Sequence, residues 1–156
     1  MMAKSLKIVA AYTIPQTGPA TPAVVNRFLA APRLMRLGVT EPDGTPLVHP
    51  VWYTWEQDQF LLHIGTTSPK RTAIERQPMV YFTIDDTGPG VFGVRGKATA
   101  AIDPHQDRLH EVIQAQCDRY SGAGDNETRR FLMGMVEAGE LVLAVLTPRY
   151  LATWGL

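Results

Sequence analysis

Residues 49–78 read HPVWYTWEQDQFLLHIGTTSPKRTAIERQP, and the order of features inside this stretch decides the fold. HPVWYTW completes a strand that begins at Leu47, residues 56–59 turn the chain, and FLLHIG forms the next strand. Alternation puts Phe60, Leu62 and Ile64 on one face of it and His63 on the other. Thr66-Thr67-Ser68-Pro69-Lys70-Arg71 then opens a short helix that ends before Pro78. Ser68 is a good N-cap, and Pro69 suits the first helical position because it lacks an N–H that would otherwise be unpaired. Lys70 and Arg71 stand beside the unpaired amides of that helix start. With the hydroxyls of Thr66, Thr67 and Ser68 they form a donor set suited to a phosphate. The same residues would also make an ordinary capped surface helix with two solvated cations.

Downstream of Pro78, MVYFTID alternates as a strand with Val80, Phe82 and Ile84 together, and residues 86–90 turn the chain. VFGVRGKATAAI follows as the fifth strand, and its Gly93 and Gly96 imply a bulge, a sharp bend or close approach of another backbone or a ligand. Asp103, Pro104 and Gln106 then signal a helix start, and Leu109, Val112, Ile113, Cys117 and Tyr120 recur at helical spacing. After a break at residues 121–125, a second helix presents Phe131, Leu132, Met135 and Val136 and ends near Gly139. LVLAVLTPRYLATW is a long final strand.

Upstream, residues 1–20 hold no sustained period and are expected to form an irregular arm. Thr21-Pro22 repeats the cap-plus-proline signal ahead of Val24, Val25, Phe28 and Leu29. LMRLGVT and LVHPVWYTW flank a tight turn at Pro42-Asp43-Gly44-Thr45 and are expected to pair as an antiparallel hairpin. The sum is one helix, five strands with a helix inserted, two helices and a last strand. That order predicts a mainly β (α+β) chain: a small antiparallel barrel with helices packed on it, in one domain over residues 1–156.

At 156 residues and 45% hydrophobic content the chain can bury one core. Its 15 basic and 15 acidic side chains cancel, which leaves no overall field to hold nucleic acid or an anionic membrane. No Asp or Glu precedes Glu41, however, while Lys4, Lys7, Arg27, Arg33 and Arg36 all do. This is either a solvated basic segment or a second contact zone for an anionic ligand. The lone Cys117 excludes an internal disulfide and suits packing on a helix face. The apolar run after Lys7 is too short for a signal-peptide core, so a soluble cytoplasmic protein is expected.

Catalytic side chains are sparse. His105 and His110 are five apart and point to different helix faces, so no metal site is expected. Nucleophile-elbow, P-loop and Gly-rich dinucleotide patterns are missing. Reactivity, if there is any, would come from a bound cofactor. Trp52, Tyr53 and Trp55 would offer a flat surface to a ring system, or simply pack.

The succession of HPVWYTW, a strand, TTSPKRTAIERQP, MVYFTIDD and GVFGVRGKATA resembles the pyridoxamine 5'-phosphate oxidase-like family of flavin-binding split barrels, over roughly residues 33–102 with Trp154 also fitting. The resemblance implies a six-stranded antiparallel split β-barrel that forms a homodimer, with FMN in a groove at the subunit interface. Relatives bind the deazaflavin coenzyme F-420 and a few bind haem. The function the resemblance implies is therefore an FMN-dependent oxidoreductase acting on a small organic substrate, with a deazaflavin-dependent reductase on the same fold, or a non-catalytic flavin- or haem-binding module, as the alternatives. Carried over by position, it implies Thr67, Ser68, Lys70 and Arg71 on the flavin phosphate and His49, Pro50, Val51 and Trp52 along the isoalloxazine ring. It does not extend to the arginine- and histidine-bearing ending of the vitamin-forming oxidases, where this chain has TPRYLATWGL.

Overall fold

The computed structural model describes residues 14–88 and 92–155. Lys4 and Lys7 of the expected arm, and residues 89–91 around the start of the expected fifth strand, lie outside them. Strands β2 (Met35–Thr40), β3 (Pro46–Val51), β4 (Thr54–Glu56), β5 (Gln59–Gly65), β6 (Met79–Asp85), β7 (Gly93–Ile102) and β8 (Leu141–Trp154) join one sheet in the order β3-β2-β6-β7-β8-β5-β4. Every pairing along that order is antiparallel. The sheet curls round a core built from its alternating residues: Leu37 of β2, Phe60 and Leu62 of β5, Phe82 of β6 and Ala98 of β7. Helices α1 (Pro22–Ala30) and α2 (Pro69–Arg76) add Val25, Leu29 and Ile74 to it.

Helices α3 (Leu109–Tyr120) and α4 (Glu127–Glu137) cover the opposite face of β5 and β8. There Leu61, Leu143, Ile113, Leu132 and the free, buried Cys117 form a second cluster. Because β5 lies between two apolar layers, it reads as the continuous run FLL rather than as strict alternation. None of the described helices is long and apolar enough to cross a membrane.

The expected six-stranded antiparallel split barrel with packed helices is therefore the architecture seen, with two corrections. The expected strand over residues 47–55 is two strands, interrupted at Trp52 and Tyr53. β3 pairs with β2 and β4 with β5, at opposite ends of the sheet order, so the chain must leave one edge to reach the other. Tyr120 ties down the backbone at this crossing: its hydroxyl accepts from the Tyr53 N–H at 3.4 Å and donates to the Arg33 carbonyl at 2.8 Å, with the Tyr53 carbonyl 3.2 Å away. The second correction concerns the arm, since Gln16–Thr17 form a strand, β1, parallel to β8 opposite Leu151 and Ala152. A two-residue pairing leaves no period in the sequence.

Thr21 and Ser68 cap α1 and α2 as expected, and Asn126 caps α4, which was not singled out. The helix start expected at Asp103 is instead a turn, with Asp103 Oδ1 accepting from the His105 N–H at 2.8 Å, and α3 begins only at Leu109 with no side-chain cap. Thr21 accepts from the Val24 N–H at 3.3 Å, Ser68 from the Lys70 N–H at 3.2 Å and Asn126 from the Arg129 N–H at 2.9 Å. Replacing Ser68 by Ala should lower the stability of the ligand-free protein by about 1 kcal/mol, a fall in Tm of roughly 2–4 °C. Calorimetry that showed no change would mean that α2 is held by its packing alone. Gly93 and Gly96 are sites of close approach, as expected, and the register shifts between Lys97 and Ala98.

Candidate functional site

Where β3 leaves the sheet edge, its last residues face β5, the start of α2 and one side of α4 across a cleft of about 460 Å³. That volume falls in the range of small-molecule sites, roughly 300–1,000 Å³. Five of the eight residues singled out from the sequence line it: His49, Pro50, Val51, Trp52 and Lys70. Thr67, Ser68 and Arg71 sit at the α2 start beside it and do not line it.

The α2 start differs from expectation in one respect. The Ser68 N–H bonds the Gly65 carbonyl at 3.0 Å, the Lys70 N–H bonds Ser68 Oγ, and the Arg71 N–H bonds the Ser68 carbonyl at 3.0 Å. The amides expected to be free are thus closed by a tight local turn, leaving side chains as the main donors. Arg71 is also engaged: its Nε donates to Glu75 Oε1 at 3.0 Å and its Nη1 to the Thr66 carbonyl at 3.3 Å.

Lys70 is the cation that faces the cleft. Its Nζ lies 2.6 Å from His49 Nδ1, within hydrogen-bond distance. Partial burial pulls the Lys70 pKa below the ordinary lysine range.

The cleft also contains chemistry not singled out from the sequence. His63, on the helix-facing side of β5, holds Gln116 of α3 at 2.6 Å through Nδ1. Gln116 is fully buried and bonds the Leu61 carbonyl at 3.1 Å and Thr54 Oγ1 at 3.3 Å. Burial pushes the His63 pKa below the usual imidazole value; the Gln116 hydrogen bond opposes this and the positive charge of Lys70 adds to it. Trp52 stands nearly perpendicular to the His63 ring, with centroids 6.0 Å apart, and stacks on Tyr120 at 4.9 Å. Trp55, by contrast, packs on Phe60 and donates to Asn26 Oδ1 at 2.8 Å, inside the fold. Phe131 and Met135 of α4 close the apolar side of the cleft, with Phe131 65% exposed at its rim. Gln116 was detectable, since it falls on the apolar stripe of α3 where a polar residue needs a partner.

The donor set fits an anionic, ring-bearing ligand: one half-buried cation at a cleft walled by Trp52, Phe131 and Met135. A family model described as pyridoxamine 5'-phosphate oxidase matches residues 21–155. Among solved structures, a conserved hypothetical protein of Mycobacterium tuberculosis is 24% identical with a TM-score of 0.74, the alignment covering 88% of this chain and 86% of that one. An F-420 reductase is 23% identical (TM-score 0.57; 81% and 94% covered). A FAD-binding protein of Mesorhizobium loti is 16% identical (TM-score 0.59; 82% and 89% covered). At these identities the likeness is one of fold. A search of curated proteins found no match.

Proposed function

Because this chain belongs to the pyridoxamine 5'-phosphate oxidase family, we propose that it is an FMN-binding oxidoreductase acting on a small organic substrate. Lys70 holds the cofactor phosphate with Thr67, Ser68 and Arg71 beside it, and His49, Pro50, Val51 and Trp52 run along the ring. The observation that carries this reading is the half-buried Lys70 ammonium, 2.6 Å from His49, at a cleft of ring-binding size. Hydride or electron exchange would be supplied by the flavin. The chain's own part is to neutralise the anion at Lys70, to fix the ring plane against Trp52, and to shield one side from water with Phe131 and Met135.

Protein reconstituted with FMN should keep a yellow chromophore through gel filtration, and colourless protein would remove the reading. The F-420 reductase likeness favours a second version, in which the deazaflavin coenzyme replaces FMN. Arg33 and Arg36, which would suit its longer anionic tail, are however paired with Asp86 and Asp85. Side-by-side titration separates the two versions, and markedly tighter FMN binding ends the second.

The same reading makes the protein a homodimer. Val48, Gly38, Tyr81, Lys97 and Tyr150 form one cross-strand row on the outer face of the sheet, beginning on the β3 edge beside the cleft. Val48 is 61% and Tyr81 50% exposed, and a partner on this face would cover apolar surface and help enclose the ligand. Light scattering should give twice the chain mass. A monomer that still binds flavin tightly would contradict this.

A further inference from the structure

The hydrogen bonds around Gln116 fix the state of His63. The Leu61 carbonyl can only accept, so the end of the Gln116 amide 3.1 Å from it is the NH2 group. The other end is the carbonyl oxygen, and it lies 2.6 Å from His63 Nδ1. An acceptor at that distance requires a proton on Nδ1, and in a neutral imidazole Nε2 then carries a lone pair. Burial favours that neutral form. Among the described residues Nε2 has no hydrogen-bond partner. Neither is it among the sealed, unpartnered atoms, and its ring lines the cleft. His49 does not offer the same group, because Lys70 occupies its Nδ1.

We propose that His63, oriented by Gln116, is the fixed hydrogen-bond acceptor of the cleft and selects bound rings that carry an N–H donor over rings that lack one. This rests on the flavin reading and deepens it. An oxidised flavin has one ring N–H, at N3, and a deazaflavin has the same group, so the acceptor serves either cofactor. Gln116 is a positioning residue here, since its role is to keep the proton of His63 on Nδ1 and the lone pair on the cleft side.

The test compares riboflavin with 3-methylriboflavin, neither of which has a phosphate, by fluorescence titration of the wild type between about pH 5 and 8. The His63 ring nitrogens are followed by nitrogen-15 NMR with and without riboflavin. The ligand-free protein should show the proton on Nδ1, and riboflavin should shift the Nε2 resonance. At neutral pH 3-methylriboflavin should bind about tenfold more weakly. As pH falls through the His63 pKa, Nε2 gains a proton and becomes a donor facing a donor. Riboflavin should then lose affinity, 3-methylriboflavin should not, and the gap should close.

The other titratable groups facing the ring are Lys70 of α2 and His49 of β3, which act on both ligands alike. Gln116 of α3 and Phe131 and Met135 of α4 do not titrate. His63→Phe should make the two ligands equal; if that variant does not fold, the wild-type pH comparison and the NMR spectra decide. A proton found on Nε2, or equal binding of the two flavins at every pH, overturns the role of His63 and leaves the flavin reading standing. If neither riboflavin nor FMN binds, the flavin reading falls and this inference falls with it.

Discussion

Lys70→Ala should weaken FMN binding roughly tenfold to a hundredfold and leave riboflavin binding nearly unchanged. A charge-assisted hydrogen bond in a partly buried setting contributes about 1.5–3 kcal/mol, which converts to that range of affinity. Lys70 is the cation suited to the role because Arg71 is committed to Glu75 and to the Thr66 carbonyl. The ligand-free protein should lose little stability, since the partner given up is a single exposed imidazole, His49. Titrating both ligands against both proteins isolates the lysine–phosphate interaction as a double-mutant cycle. Equal losses for FMN and riboflavin would show that Lys70 acts by shaping the cleft, and the anion assignment would have to be given up.

A large effect on stability is expected at Gly96. A Cβ there would lie 2.3 Å from the Tyr150 carbonyl oxygen and 2.9 Å from the Phe82 ring. The first of these is backbone in the neighbouring strand, so β7 and β8 would have to part just where their register shifts. Overpacking of this kind costs about 1–3 kcal/mol and sometimes more, so Gly96→Ala should lower Tm by roughly 2–12 °C. Gly134→Ala is the control of opposite sign. A Cβ at Gly134 meets nothing within 4 Å, and Ala is favoured over Gly in a helix by about 0.5–1 kcal/mol. A stable Gly96→Ala protein would mean that the two strands have slack which the packing does not suggest.

Most of the sheet was legible because its signals are local. Thr21 and Ser68 announce helices by capping chemistry, residues 79–85 announce a strand by alternation, and residues 60–65 do so by a short apolar run between turns. The cleft was half legible: Lys70 lies at a capped helix start, whereas His49, Pro50, Val51 and Trp52 on and after β3 came from the family resemblance alone. The interruption at Trp52 and Tyr53 was not legible, because VWYTW has strand propensity throughout. Only the pairing of β3 and β4 with different neighbours forces the break. His63 escaped notice because a polar residue on a predicted outward face needs no partner until α3 is known to lie over it. Phe131 and Met135 were expected on an apolar helix face, but nothing in the sequence says that part of that face overlooks a cleft.

β8 comes last in the sequence order of the strands and is enclosed once the sheet forms, with β7 along one side and β5 and β1 along the other. During synthesis the ribosome therefore delivers two unjoined pieces, the β3-β2-β6-β7 ladder and the β4-β5 hairpin, each with an open edge waiting for the same late strand. The two pieces cannot join until residues 144–146 of β8, which pair with both β5 and β7, have emerged. A chain stalled before Leu141 would expose the backbone of β5 and β7 together with Phe60 and Leu62, which is the kind of surface that pairs with other chains. Vectorial folding thus gives this protein no early refuge. A nascent chain halted at that point should be held by chaperones or degraded, whereas one extended past Trp154 should become protease-resistant in a single step.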